Sequence, residues 1–308
     1  MIYTCTLNPA LDKMGYVEKI QLNQMNRLTH IENDAGGKGI NVSRDIKALN
    51  HKSVAVGFLG GSAGTFIEML LRREDIDHHM IEILGNTRTN LKVFDENGVS
   101  EFNEEGPFVL NDELEALLDF FRSHLDERCI LVISGSMPKG CGLDTYKRII
   151  EIAKENEALV FLDTSMKYLL PSLEAHPDIV KITSADLAKL NHIDARLSEE
   201  EIASMGRNFI RQNCEMLCVS HENQGIYLIT KNKILHCTPM DLEIKSKVGV
   251  GDAFVAGFVV GLENGLRDEE VLRLAGASYA AASQRSNAHP KNYDEVHAYL
   301  DQIIIERV

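Results

Sequence analysis

An α/β fold built on a doubly wound, mostly parallel sheet in three layers is predicted by three features of this 308-residue chain. Short apolar runs recur at residues 2–7, 53–58, 129–134, 159–163, 179–182 and 216–219. They are mostly continuous rather than alternating, as strands buried on both faces are. Segments of helical periodicity lie between them, and such alternation lays helices on both sides of a parallel sheet. The third feature is size. With 44% hydrophobic and 25% charged residues, 308 positions bury one large core, so residues 1–308 read as a single domain.

The elements follow in order. Residues 39–49 put Val42, Ile46 and Leu49 on one helical face. Residues 111–124 open with Asn-Asp-Glu, good N-terminal chemistry, and gather Leu114, Leu117, Leu118 and Phe121. Ser198 and Glu201 form a capping box ahead of Ile202, Met205, Phe209 and Ile210. Further helices start at Ala253, Asp268 and Tyr293. Two stretches break the rhythm. Residues 12–32 and 90–103 are polar and strand-like, with a turn at Glu96-Asn97-Gly98. They predict a small antiparallel sheet projecting from the core as a lid, drawn from about 12–34 and 88–104. Its apolar face needs a cover, either a ligand or a second subunit, and a homodimer through the lid is expected.

The net charge of −14 argues against nucleic acid or an anionic membrane surface as partner. A phosphate-ester substrate would need local positive charge against that field. The six cysteines are scattered and read as reduced, buried thiols; Cys214 and Cys218 lack the second pair of a zinc site. No run approaches a membrane span, and the opening residues lack a basic leader region, so a cytoplasmic protein is expected.

Five clusters carry chemistry. A small-residue helix starts on Gly249-Val250-Gly251-Asp252. Glycines let main-chain N–H groups turn toward an anion, and the helix dipole adds to that field. Asp252 at such a mouth either caps the helix or takes a proton from a hydroxyl attacking a bound phosphate. The second cluster, Asp34 to Arg44, again sets glycines (Gly36, Gly37) before a helix, with Lys38 as donor and Asn41 able to bond two hydroxyls. It is not a Walker A loop, since Glu32 stands where a glycine is required. In the third, Asn8-Pro9-Ala10-Leu11-Asp12 follows the first strand, where ligands of open α/β sheets gather. The fourth, Thr87-Arg88-Thr89-Asn90, enters the lid, and the Arg88 fork suits a phosphate, with Arg27 on the other lid segment. The fifth, Ser134-Gly135-Ser136, also follows a strand. Each alone also reads as an ordinary turn or surface residue.

In joint presence and order, these motifs resemble the ribokinase-like (PfkB) carbohydrate kinases along essentially the whole chain. Residues 6–12, 36–44, 57–61, 86–92, 134–140 and 249–257 carry the likeness and point to the branch of 1-phosphofructokinases and tagatose-6-phosphate kinases. The resemblance implies a ribokinase-like fold and transfer of the ATP γ-phosphoryl to a primary hydroxyl of a phosphorylated ketohexose. Fructose 1-phosphate is the first choice; tagatose 6-phosphate and fructose 6-phosphate stay open. It implies Asp252 as base, with Gly249, Val250 and Gly251 as the anion hole. Asp12, Gly36, Gly37, Asn41, Asn90 and Ser136 fall to the sugar, and Lys38, Arg88 and Arg27 to its existing phosphate. Lys181, Ser184, Ser220, Gly225, Val248 and Gly251 fall to ATP, with magnesium as the usual ion.

Two departures touch the nucleotide side. Thr183 and Asp186 stand where the family usually has the Asn and Glu that place magnesium, mostly through water. Glu222 replaces a glycine beside the expected triphosphate, where like charge weakens ATP binding unless the side chain turns away or meets a cation. Arg27, Lys38 and Arg88 together argue against an unphosphorylated sugar or a nucleoside. A catalytically silent sugar-phosphate sensor is the reading from another class. A dinucleotide oxidoreductase lacks its Gly-x-Gly-x-x-Gly after the first strand.

Overall fold

Main-chain groups in a continuous apolar run can bond only to neighbouring strands, and all six such runs lie side by side in one ten-stranded sheet. The computed structural model describes every residue except 241, 243, 246–248 and 286–288. It opens with β1 (Ile2–Thr6), β2 (Ala10–Tyr16), β3 (His30–Gly36), α1 (Lys38–Ala48), β4 (Ser53–Leu59), α2 (Gly61–Arg73) and β5 (Asp77–Glu82). Then come β6 (Arg88–Asp95), β7 (Gly98–Asn103), α3 (Asn111–His124), β8 (Ile130–Ser134), α4 (Thr145–Glu155) and β9 (Leu159–Asp163). The second half runs α5 (Met166–Leu173), β10 (Ile179–Thr183), α6 (Ser184–Leu190), α7 (Glu199–Asn213), β11 (Met216–Ser220), β12 (Ile226–Thr230) and β13 (Ile234–Cys237). It closes with α8 (Val250–Glu263), α9 (Asp268–Ser283), α10 (Tyr293–Leu300) and β14 (Ile305–Arg307).

The large sheet has the order β14-β13-β12-β11-β10-β9-β8-β1-β4-β5. It is parallel from β5 to β11 and antiparallel from β11 to β14. Alternate residues feed two cores. Tyr3 and Cys5 of β1 pack in the cluster that holds Leu117 and Phe121 of α3, while Ile2 joins Val42 and Ile46 of α1 and Phe254 and Phe258 of α8. Helices therefore cover both faces, giving three layers. The Ser198 cap forms as its spacing implied: its hydroxyl accepts from the Glu201 amide at 3.2 Å and the Glu201 carboxylate accepts from the Ser198 amide at 2.8 Å.

The projecting sheet has the order β3-β2-β6-β7. Its outer pairs are antiparallel, but the central β2/β6 pair is parallel. The reason is connectivity: β2 follows β1, and β6 follows β5, so both enter the sheet from the carboxyl ends of parallel strands. The chain leaves β1 toward β4 on one side and toward β8 on the other only later, so β1 is the topological switch point where an open α/β sheet binds ligands.

Candidate active site

A cavity of about 630 Å³ opens at that switch point. Thr6 ending β1, Asn8 just beyond it, Gly135 and Ser136 beyond β8, Asp163 ending β9, and Lys181, Thr183 and Asp186 at β10 and α6 form its walls. Gly37, Lys38 and Asn41 enter from the start of α1, Arg88 from β6, and Gly249, Gly251 and Asp252 from the start of α8. Both glycine turns are thus brought to one place. Gly249 takes φ 90°, a left-handed conformation that side chains disfavour. Gly251 is different. A Cβ there would meet nothing nearer than Lys181 Nζ at 3.4 Å, so neither backbone nor packing requires glycine. Its absent side chain leaves the cavity mouth open.

Asp252 is 4% exposed, and burial lifts its carboxyl to about 6. Lys38, a hydrogen bond from Asn41 and Lys181 pull it down, while Asp163 pushes it up. Asn41 Nδ2 donates to Asp252 Oδ2 at 2.9 Å. Asp163 sits under two ammonium groups, with Lys38 Nζ at 3.3 Å and Lys181 Nζ at 3.4 Å from its Oδ2. Burial alone would raise the Asp163 carboxyl, but Lys181 and Lys38 outweigh it and hold it below its ordinary value. Asp163 in turn keeps Lys38 protonated against burial, with Asp252 and Asp186 adding to the effect. Lys38 is therefore tied to Asp163 and Asp252 on the wall that also carries Arg88. Asp163 was missed in the sequence, where one acid ending an apolar strand looks ordinary.

The Arg88 guanidinium is held by the Asn8 carbonyl, donating from Nη2 at 3.0 Å and Nε at 3.3 Å. Burial lowers its pKa and Asp12 partly offsets that. Asn8 also donates to Ser136 Oγ at 3.2 Å, while its own Oδ1 is buried without a partner. Asp12, Gly36 and Asn90 do not line the cavity walls; they form a second group on the small sheet. Asn90 Nδ2 donates to Asp12 Oδ1 at 2.9 Å, Lys92 Nζ lies 3.6 Å from Asp12 Oδ2, and a Cβ on Gly36 would strike the Asp12 carboxylate at 2.8 Å.

Arg27 stands apart from the others: it is exposed on the β2–β3 connection and is not on the cavity wall of this chain. Val250 and Ser184 are buried first-turn residues, so Val250 can offer a ligand only main-chain groups and Ser184 lies outside the wall.

Thr183 and Asp186 cap α6 together. Thr183 Oγ1 donates to Asp186 Oδ2 at 2.6 Å and accepts from the Asp186 amide at 3.0 Å. The Asp186 bonds use Oδ2, and Oδ1 has no partner among the described residues. Among the described residues, no group of three His, Cys, Asp or Glu could cage a metal. The Asp186 carboxylate fits an ion held mainly by water and phosphate oxygens.

A second cavity, also about 630 Å³, is lined by Ser220, Glu222 and Gly225 and by apolar residues of β12, β13 and α9, including Ile226, Tyr279 and Ala280. Val248 lies outside the described residues. Glu222 takes φ 41°, a left-handed conformation natural to the glycine it replaces. Its carboxylate meets a cation: Arg196 Nη2 lies 3.2 Å from Oε2.

Residues 6–293 match the pfkB family carbohydrate kinases. The 1-phosphofructokinase of Bacillus subtilis (strain 168) is 36% identical over 285 residues, 92% of each chain. A tagatose-6-phosphate kinase of Staphylococcus epidermidis is 30% identical over 312 residues, 98% of this chain and 99% of its own. The crystal structure of Escherichia coli phosphofructokinase-2 in complex with substrates and products superposes with TM-score 0.90 at 25% identity, covering 98% of this chain and 99% of its own. The chain belongs to the pfkB family of carbohydrate kinases. It is an ATP-dependent sugar-phosphate kinase with a mixed α/β fold of one large and one small sheet. No helix among the described residues is long and apolar enough to cross a membrane.

Proposed function

We propose that the chain carries the ATP γ-phosphoryl to the free primary hydroxyl of a ketohexose phosphate, fructose 1-phosphate first, giving fructose 1,6-bisphosphate. One observation carries the reading: a buried carboxylate at a glycine-rich helix start shares a cavity with a guanidinium already aimed by a main-chain carbonyl. Asp252 takes the hydroxyl proton as the bond to phosphorus forms. Amides at Gly249–Asp252 and Lys38 stabilise charge on the transferring group. Arg88 grips the phosphate the sugar already carries. Asp12 and Asn90 accept or donate to sugar hydroxyls.

The wall's cations, Lys38, Lys181 and Arg88, are matched by Asp163, Asp186 and Asp252. Incoming phosphates therefore exceed the protein's positive charge, and magnesium, with Asp186 reaching it through water, would neutralise the remainder. The apolar cavity suits the adenine, with Ser220 and Gly225 at its phosphate side. Residues 1–308 act as one kinase domain and the small sheet as its lid. Leu22 and Met25, 83% and 80% exposed on the lid, support a lid-to-lid homodimer. A cytoplasmic setting accords with these substrates. A coupled ADP-release assay over fructose 1-phosphate, tagatose 6-phosphate and fructose 6-phosphate tests the reading. ADP release with none of them, at saturating ATP and magnesium, refutes it; sugar binding without turnover would indicate a sensor.

A further inference from the structure

We propose that Arg44 is a positioning residue for the catalytic base, acting through the side-chain amide of Asn41. The proposal rests on Asp252 being that base. Asn41 bonds two groups at once: Nδ2 donates to Asp252 Oδ2 at 2.9 Å, and Oδ1 accepts from Arg44 Nη1 at 3.3 Å. A side-chain amide can be turned end for end with almost no change in shape. A guanidinium has donors only, so the amide must show it the oxygen. That choice turns the NH₂ group toward Asp252. The flipped amide would set its oxygen against a carboxylate, leaving the base without its donor and repelled from its place.

Arg44 can impose the choice because its own plane is fixed. Nε donates to Glu74 Oε2 at 2.7 Å, and Nη2 to Asp34 Oδ1 at 2.9 Å and the Ala35 carbonyl at 3.3 Å. Nη1 also meets His289 Nε2 at 3.3 Å, and His289 Nδ1 lies 2.7 Å from Asp45 Oδ1. A donor-only neighbour makes Nε2 the acceptor, so Nδ1 carries the proton and gives it to Asp45 in the hydrogen bond. Each link from Asp45 to Asp252 thus has one donor sense. Arg44 is not part of the cavity wall, so a substrate effect must pass through Asn41. Facing Asp252 are also Lys38 of α1, Asp163 of β9 and Lys181 of β10; facing Arg44 are Asp34 of β3, Asp45 of α1, and Glu74 just after α2.

The test compares Arg44→Lys, Asn41→Ala and the double variant by steady-state kinetics, pH profile and thermal melting. Lysine keeps the charge for Asp34 and Glu74 but not the planar fork. Arg44→Lys should lower kcat about tenfold, with KM for the sugar phosphate within about threefold, since misplacing a catalytic group costs rate rather than binding. Its acid limb should move to higher pH, because the Asn41 donation that holds the Asp252 carboxyl down is lost. The double variant should match Asn41→Ala, the sign that both act on one link. Unchanged kcat, a melting shift alone, or additive losses would overturn the proposal. Asn41→Ala leaves the Arg44 ion pairs in place, so wild-type kcat there overturns it even where Arg44→Lys fails to fold. Asp252→Asn is the separate control: if it keeps its kcat, the base assignment fails, whatever Arg44 does.

Discussion

The molecule carries two cavities of about 630 Å³ each, built from opposite chemistry. One is walled by Lys38, Lys181, Arg88, Asp163, Asp186 and Asp252; the other by residues such as Ile226, Met240, Leu242, Tyr279 and Ala280. In the charged cavity, cations and carboxylates are set against one another so that each shifts its neighbours' protonation. The apolar cavity offers shape and dry area, with Ser220 and Glu222 at one end and the hydroxyl residues Thr238 and Ser283 elsewhere on its lining. A division of labour follows: changes in the first should move rate and sugar-phosphate binding, and changes in the second should move ATP binding alone.

The largest effect should come from Asp252→Asn, which should lower kcat by about 10²–10⁴ with KM for both substrates nearly unchanged. Retention of more than about a tenth of wild-type kcat would break the charged cavity's claim to the chemistry. The next largest is Arg88→Ala. It should raise KM for the sugar phosphate by at least about tenfold, the cost of losing a buried ester's partner, and leave an unphosphorylated sugar unaffected. Equal losses on both sugars would remove the clamp assignment.

The pH dependence sharpens the same contrast. As the proposed base, Asp252 would act as the carboxylate, and burial lifts its carboxyl to about 6. Below that pH, kcat/KM should fall about tenfold per unit. Stability runs the other way. A folded carboxyl raised above the usual 3.8 binds a proton more tightly than the unfolded one, so stability falls as pH rises from 3.8 through about 6 and stays lower above. Melting of Asp252→Asn against wild type should therefore show a gain at pH 7 that vanishes near pH 4. A flat difference would mean that the buried charge costs the fold nothing.

The two cavities also differ in how far the sequence revealed them. Gly249–Asp252 and Gly36–Asn41 were legible because glycines ahead of a helix are a local signal, and the clusters named from them meet in space. Lys38 was legible as a donor, but its pairing with Asp163 was not, since Asp163 lies 125 residues away and nothing local links them. Arg27 lies on the β2–β3 connection of the small sheet, and only coordinates show that it is not on the cavity wall of this chain. The apolar cavity was hardly legible. Its lining on β12, β13 and α9 is the same residue types as the core, and only contact in three dimensions separates a wall from an interior. Asn41 was read as a sugar ligand, and its bonds to Asp252 and Arg44 needed coordinates.

The smallest effect should fall at the mouth of the apolar cavity. Glu222 holds a left-handed φ of 41° and puts an acid beside Ser220 and Gly225, and Arg196 pairs with it at 3.2 Å. Their side chains are 60% and 53% exposed, so the pair is worth only about 0.2–1 kcal/mol and is screened by salt. Arg196→Ala unmasks the acid and should raise KM for ATP by about two- to fivefold at low salt. Glu222→Gly removes both the charge and the strained backbone, so it should lower that KM by a similar factor and add about 1 kcal/mol of stability. Neither change should move KM for the sugar phosphate, because neither residue touches the charged wall. If the sugar constant shifts with the ATP constant, the two cavities are coupled through the turn between Ser220 and Gly225, and the division of labour does not hold.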